Sequence, residues 1–207
     1  MPHVVLLGDS IFDNLAYVAG GPAVIDQFHH VLPPEWRSTL LAVDGDTTEM
    51  VAVRLTALPG DATHMVVSVG GNDALMHLEL LEAEHNVLSE LAEVRDEFAG
   101  RYRTMLDTVL SHGKSTALCT IYDNVPGLTP AAKAALATFN DVILREAARS
   151  QCPVLDLRIL CDNTADYSDL SPIEPSVAGG AKIASLIARV LRDHDFSRPS
   201  CVVYSKP

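Results

Sequence analysis

Short apolar runs alternate along this chain with longer segments of helical period. HVVLLGD (3–9) opens it, and STLLAVDG (38–45), HMVVSVGG (64–71), STALCTIYD (115–123) and PVLDLR (153–158) follow. Each has an apolar, Val- or Leu-rich centre with no alternation and is bounded by Gly, Asp or Asn. That is the pattern of parallel strands buried on both faces. Between them, residues 46–58 predict a helix with Asp46, Thr47 or Thr48 as N-cap candidates and a stop at Pro59-Gly60. A longer pattern over about 78–112 puts Leu80, Leu81, Val87, Leu88 and Leu91 on one stripe, with a break expected near Gly100. Residues 130–150 begin with a proline suited to the first helical turn, and 179–194 form the last clear helix. Strand–helix alternation predicts a three-layer, flavodoxin-like α/β sandwich with a parallel sheet of about five strands. The tail SRPSCVVYSKP either adds a short edge strand or packs on the surface.

The 207 residues suit one domain over 1–207, with no internal repeat, low-complexity tract or linker. Hydrophobic residues make up 48% and charged residues 20%, the composition of a folded chain. A net charge of −12 repels polyanions, so no nucleic-acid partner is expected. Cys119, Cys152, Cys161 and Cys201 form no CxxC pair and no metal-ligand spacing with histidine, so no metal is expected. Free thiols suit a reducing compartment. The first ten residues lack a basic segment followed by a cleavable apolar one, and no run is long enough for a membrane span. The expectation is a cytoplasmic protein.

The candidate chemistry lies at the carboxyl ends of the runs. VVLL leads into Gly8-Asp9-Ser10, a sensible place for a nucleophile if a helix follows and offers free N–H groups. Ser10 as a mere helix cap is the equal alternative on these residues alone. Gly45 follows the second run, and Gly70-Gly71-Asn72-Asp73 follows the third. Together these blocks resemble the SGNH (GDSL-like) hydrolases, a family of esterases, lipases and acyl hydrolases. Order and spacing match over nearly the whole chain. The resemblance implies the SGNH hydrolase fold, Ser10 as nucleophile, and an oxyanion hole from the Ser10 N–H, the Gly45 N–H and the Asn72 side chain. It implies no cofactor.

The family's last block, DxxHP, is altered. The matching stretch is Ser171-Pro172-Ile173-Glu174-Pro175, followed by small residues and the last helix. Glu174 stands at the histidine position and Ser171 at the aspartate. Three readings follow. Glu174 is itself the base, with a pKa raised by burial or by a nearby acid such as Asp169 or Asp166. Alternatively a histidine from elsewhere (3, 29, 30, 64, 77, 85, 112 or 194) serves, His77 being nearest to a motif. Or the chemistry is lost and a binding pocket is kept. The first is preferred. Arg54, the sole charge in MVAVRLTAL, is a candidate for oxyanion or charge support, by pointing inward to a carboxylate or an oxyanion, or else lies at the helix edge. Asp9, Asp73 and Tyr122 are candidates for the substrate cleft. Asn140 is expected to tie a loop or face solvent. The function expected is hydrolysis of small carboxylic esters through an acyl-enzyme at Ser10, the alternatives being a ligand-binding protein on a hydrolase fold or an acyltransferase.

Overall fold

A computed structural model describes residues 1–82 and 86–207. Six parallel strands form one sheet in the order β2-β1-β3-β4-β5-β6: β1 His3–Gly8, β2 Arg37–Leu40, β3 His64–Ser68, β4 Ser115–Cys119, β5 Val154–Leu155 and β6 Val203–Tyr204. The sixth strand is the tail segment, which pairs with β5 at the edge. The helices are α1 Val24–Val31, α2 Thr48–Arg54, α3 Gly71–Leu75, α4 Val87–Ser111, α5 Pro130–Ser150, α6 Leu157–Leu160 and α7 Val177–Asp193.

Two apolar layers enclose the sheet. Along β1, Val4 and Leu6 pack with Val24 and Phe28 of α1 and Ile183 and Ile187 of α7. Val5 and Leu7 point the other way, to Val51 of α2, Phe98 and Tyr102 of α4, and Phe139 and Ile143 of α5. The two-residue period of the strand thus feeds both cores, which is why β1 reads as an unbroken apolar run.

Several local expectations need correction. The helix from residue 46 starts only at Thr48 and ends in a 3-10 turn, Leu55–Ala57. The pattern over 78–112 is divided: a 3-10 segment spans Leu78–Glu82, and α4 begins at Val87 and runs unbroken past Gly100. Leu88 is 82% exposed and lies off the buried stripe, which continues instead through Phe98, Tyr102, Met105 and Val109. The Leu81 side chain and His85 fall outside what is described. After Ser10 there is a turn, in which Asp9 O accepts from Phe12 N and Asp13 N, then a 3-10 turn over Leu15–Tyr17, and no α-helix until α1. α5 begins and ends where the sequence places it, its Thr129 cap accepting from Ala132 N.

Strand order reverses between β1 and β3: the chain steps from β1 outward to β2, then crosses back to β3. Loops after these strands diverge there and leave a crevice at their carboxyl ends.

Candidate active site

Three loops meet at the crevice. Gly8 ends β1 with φ +128, and a Cβ there would lie 1.7 Å from Ser68 O of β3, so only glycine lets β1 pass this close. Asp9 N then donates to Ser68 O at 3.1 Å, which aims Ser10 out of the sheet. The loop after β2 is pinned to the same point by Val43 N donating to Gly8 O at 3.0 Å. It turns at Gly45, φ +82, with Asp46 N donating to Val43 O at 3.1 Å. The loop after β3 joins it: Asn72 Nδ2 donates to Asp46 O at 2.9 Å, leaving the amide's second hydrogen available. Neither Ser10 N nor Gly45 N donates to any backbone carbonyl among the described residues. Ser10, Gly45 and Asn72 are therefore on one connected frame, each with an uncommitted donor.

The fourth contributor is the segment before α7. Its backbone is held at several points. Ser168 N donates to Glu174 O at 2.8 Å and Glu174 N to Ser171 O at 3.0 Å. Tyr122 Oη donates to Ile173 O at 2.7 Å. Asn14, fully buried, donates to Pro175 O at 3.0 Å and accepts from Val24 N at 2.8 Å. These ties carry Glu174 into the crevice, where the residue is only 4% exposed. Its Oε2 is buried with no hydrogen-bond partner among the described residues. Burial raises its pKa from 4.5 to about 7; the adjacent Ser10 hydroxyl opposes the rise, and the Asp44 carboxylate adds to it. The Ser10 hydroxyl is thus the group set against this carboxyl. Asp9, 3% exposed, is pushed up to about 8, first by burial and then by the charges of Glu174 and Asp73, against a bond from Ile11 N at 3.1 Å. Two buried carboxyls of raised pKa thus line the crevice together with Ser10.

Residues 6–182 match the model of the GDSL-like Lipase/Acylhydrolase family. The chain belongs to that family. Among solved structures it is similar to a lipase from a goat rumen metagenome, Lip_vut3 (19% identity, TM-score 0.70, covering 93% of this chain and 96% of that one). It is likewise similar to a lipase/acylhydrolase from Enterococcus faecalis (21%, 0.70, 93% and 96%). The acetyl xylan esterase AlAXEase also resembles it (17%, 0.68, 88% and 96%). At these identities the likeness is one of fold. No curated protein sequence matches this one.

Within the GDSL-like family frame, the remaining candidates sort as follows. Asp9 and Tyr122 line a cavity of about 110 Å³ that opens beside Ser10. Asp73 does not. It is buried and accepts from Thr48 N and Thr48 Oγ1, both at 2.9 Å, fastening α3 to the start of α2. Arg54 does not face the oxyanion side either. Its Nε and Nη2 donate to the two Asp46 oxygens at 2.7 and 2.8 Å, so its charge is already matched. It braces the residue whose carbonyl holds Asn72. The acid acting on Glu174 is Asp44 and not Asp166 or Asp169: Asp166 is engaged by Lys182 at 2.7 Å, and Asp169 is exposed. Asp44 in turn accepts from Tyr17 Oη at 2.6 Å and donates its N–H to Asp13 Oδ2 at 3.0 Å. Nothing in sequence spacing singled out Asp44 or Tyr17. Asn140 is a loop tie, paired through both amide atoms with the Ile121 backbone at 2.8 Å.

Among the described residues the histidines supply no substitute base. His3 and His64 start β1 and β3, and His112 precedes β4, all at the opposite end of the sheet. His194 packs against Phe196 and Tyr204. His29 and His30 bond to Ser38 and to Asp26 O. His77 lines the cavity but makes no hydrogen bond to Ser10 or Glu174. Among the described residues no three His, Cys, Asp or Glu side chains cluster as metal ligands, and no helix is long and apolar enough to cross a membrane.

Proposed function

We propose that this protein hydrolyses small carboxylic esters through an acyl-enzyme on Ser10, with Glu174 as the base. The observation that carries the reading is the Glu174 carboxyl: buried, without a partner at Oε2, and set against the Ser10 hydroxyl. Such a group is costly to keep unless its proton affinity is used, and a base poised near neutral pH is suited to drawing a proton from an attacking hydroxyl.

The steps follow from the groups present. Ionised Glu174 takes the Ser10 proton as Oγ bonds to the ester carbonyl carbon. The carbonyl oxygen gains the electron pair and is met by the Ser10 N–H, the Gly45 N–H and Asn72 Nδ2. As the intermediate collapses, the C–O bond to the alcohol breaks and Glu174 returns its proton to the leaving oxygen. Water, deprotonated by Glu174, then attacks the acyl carbon; the C–Oγ bond breaks, Glu174 returns the proton to Ser10 Oγ, and the acid is released. Asp9 keeps its proton at neutral pH, so only one negative charge stands beside the hydroxyl. Ser171 makes no side-chain bond to Glu174, consistent with a carboxylate that needs no aspartate to set a tautomer, as an imidazole would.

Turnover of p-nitrophenyl acetate tests this. Wild type should hydrolyse it. Ser10→Ala should lower kcat by about 10⁴-fold or more while its circular dichroism stays that of the parent, since Ser10 sits in a turn. A folded Ser10→Ala protein with wild-type turnover would falsify the mechanism.

A further inference from the structure

The cavity beside Ser10 runs under α3 and the 3-10 segment Leu78–Glu82 and reaches α4 and α5. Apart from His77, the polar groups on its wall belong to the segments that carry Ser10, Asn72, Tyr122 and Glu174. Away from that end the wall is aliphatic and aromatic: Val87 and Leu91 of α4, Ala135, Leu136 and Phe139 of α5, and Ile121 after β4. Leu75 and Leu78 both line it and reach the surface, at 37% and 47% exposed, with Met76 beside them at 65%. The outer end is therefore apolar as well, a surface that invites an apolar ligand. A polar group acting on Glu174 from outside the cavity lies elsewhere: Asp44 is bonded to Tyr17 and to Asp13, and none of the three lines it.

We infer that this cavity is an acyl pocket, and that the preferred substrates carry an unbranched aliphatic acyl chain of about four to eight carbons. The inference rests on the serine-hydrolase reading of the site. A cavity of about 150 Å³ walled by Leu, Ile and Phe accepts benzene. The present one, about 110 Å³, fits a chain of comparable length and slimmer section, and its apolar mouth leaves room for a little more. An acetyl group would leave most of the wall facing emptiness, forfeiting contacts on one side. The alcohol portion then leaves past Tyr17, Asp44 and Asp13, where hydroxyl and carboxylate groups suit a polar, uncharged or cationic leaving group and oppose an anionic one.

A series of p-nitrophenyl esters tests the assignment. Each methylene drawn from water into the pocket favours the transition state by about fourfold, so hexanoate should exceed acetate in kcat/KM by at least about tenfold, with a decline for laurate. Ala135→Phe places a ring in the pocket and should lower the hexanoate-to-acetate ratio about tenfold or more. Leu136→Ala, which deletes bulk at a half-buried position, should move the optimum toward longer chains. Two variants with opposite expected directions keep the test open should one of them fold poorly. A flat profile, or a preference for acetate with the variants leaving the ratio in place, overturns the pocket while the hydrolase reading stands. If no ester is turned over, the hydrolase reading fails, and titration of methyl hexanoate into Ser10→Ala protein decides the pocket alone. Saturable binding that Ala135→Phe abolishes supports it, and no binding overturns it.

Discussion

The two sides of the crevice are built on opposite principles. On the donor side, formed by the loops after β1, β2 and β3, the acids that hold the frame together are satisfied. Asp73 receives two bonds from Thr48, and Asp46 receives a bidentate pair from Arg54. On the base side, the backbone around Glu174 is fixed by Asn14, Tyr122 and Ser168, yet its carboxyl is left without a partner at Oε2. Fixed donors and an unsatisfied acceptor are what proton abstraction with oxyanion capture requires. Donors must be in place before charge develops, and the base must still have affinity to spend on a proton. If the contrast is real, breaking each side should give a distinct kinetic signature.

The largest effect in that comparison belongs to the proposed base, Glu174. Glu174→Gln keeps size and amide-like hydrogen bonding but removes the ionisable group. It should lower kcat by about 10³-fold, within the range for losing a general base. In wild type the acid limb of kcat/KM should fall near pH 7, because the carboxyl must be ionised to act and burial lifts it to about 7. Two pH units below that value only about 1% of the base form remains. A Glu174→Gln enzyme with the wild-type limb would move the base elsewhere, and His77 in the cavity wall would be tested next by the same profile.

The donor side should respond in kcat and leave the limb alone. Asn72→Ala removes one proposed oxyanion donor and also the bond to Asp46 O. The expected loss is about 100- to 1,000-fold in kcat with little change in KM, since the donor is tightest on the transition state. A shift in the pH limb, or an effect confined to KM, would mean that Asn72 belongs to the base side or to ground-state binding. The contrast drawn above would then fail.

How much of this was legible in the sequence follows from the range of the interactions. The strands and the motifs at their ends are local. Gly8-Asp9-Ser10, Gly45 and Asn72 could be placed because each follows on an apolar run, and parallel strands bring those ends together. Legibility fails where a residue's setting comes from distant chain. Arg54 could be read as pointing inward, but only the fold shows that Asp46 absorbs both its donors. Asp44 is exposed in a turn, and its action on Glu174, 130 positions away, depends on how the loops stack. Leu88 fits a helical stripe when the pattern is run on from residue 80, but α4 begins afresh at Val87 and its stripe is set by Phe98 and Tyr102. The turn after Ser10 defeats the expectation of a helix because Asn14 is drawn away to hold Pro175 and Val24.

The smallest effect concerns stability and tests whether Asp9 belongs with the satisfied acids of its own loop frame or with Glu174. Among the described residues its carboxyl accepts a hydrogen bond from Ile11 N, and burial raises its pKa from 3.8 to about 8. A group whose folded pKa lies above its unfolded value prefers the protonated folded state. That contribution is complete below pH 3.8 and is lost as pH rises through about 8. Wild type should therefore lose stability progressively from about pH 4 to about pH 8, where unfolding releases the proton that folded Asp9 still holds. Asp9→Asn can keep the bond from Ile11 N and carries no charge at any pH. At pH 4 it mimics the protonated side chain while little of the contribution is yet lost, so the two proteins should melt close together. At pH 9 the variant should be the more stable by about 2 kcal/mol, a fraction of the full shift once the site relaxes, or roughly 4–8 °C in Tm for a chain of this size. Thermal melts at the two pH values give the answer as a difference of differences. An equal gap at both would mean that Asp9 ionises without cost, and would place it with Asp46 and Asp73 on the satisfied side.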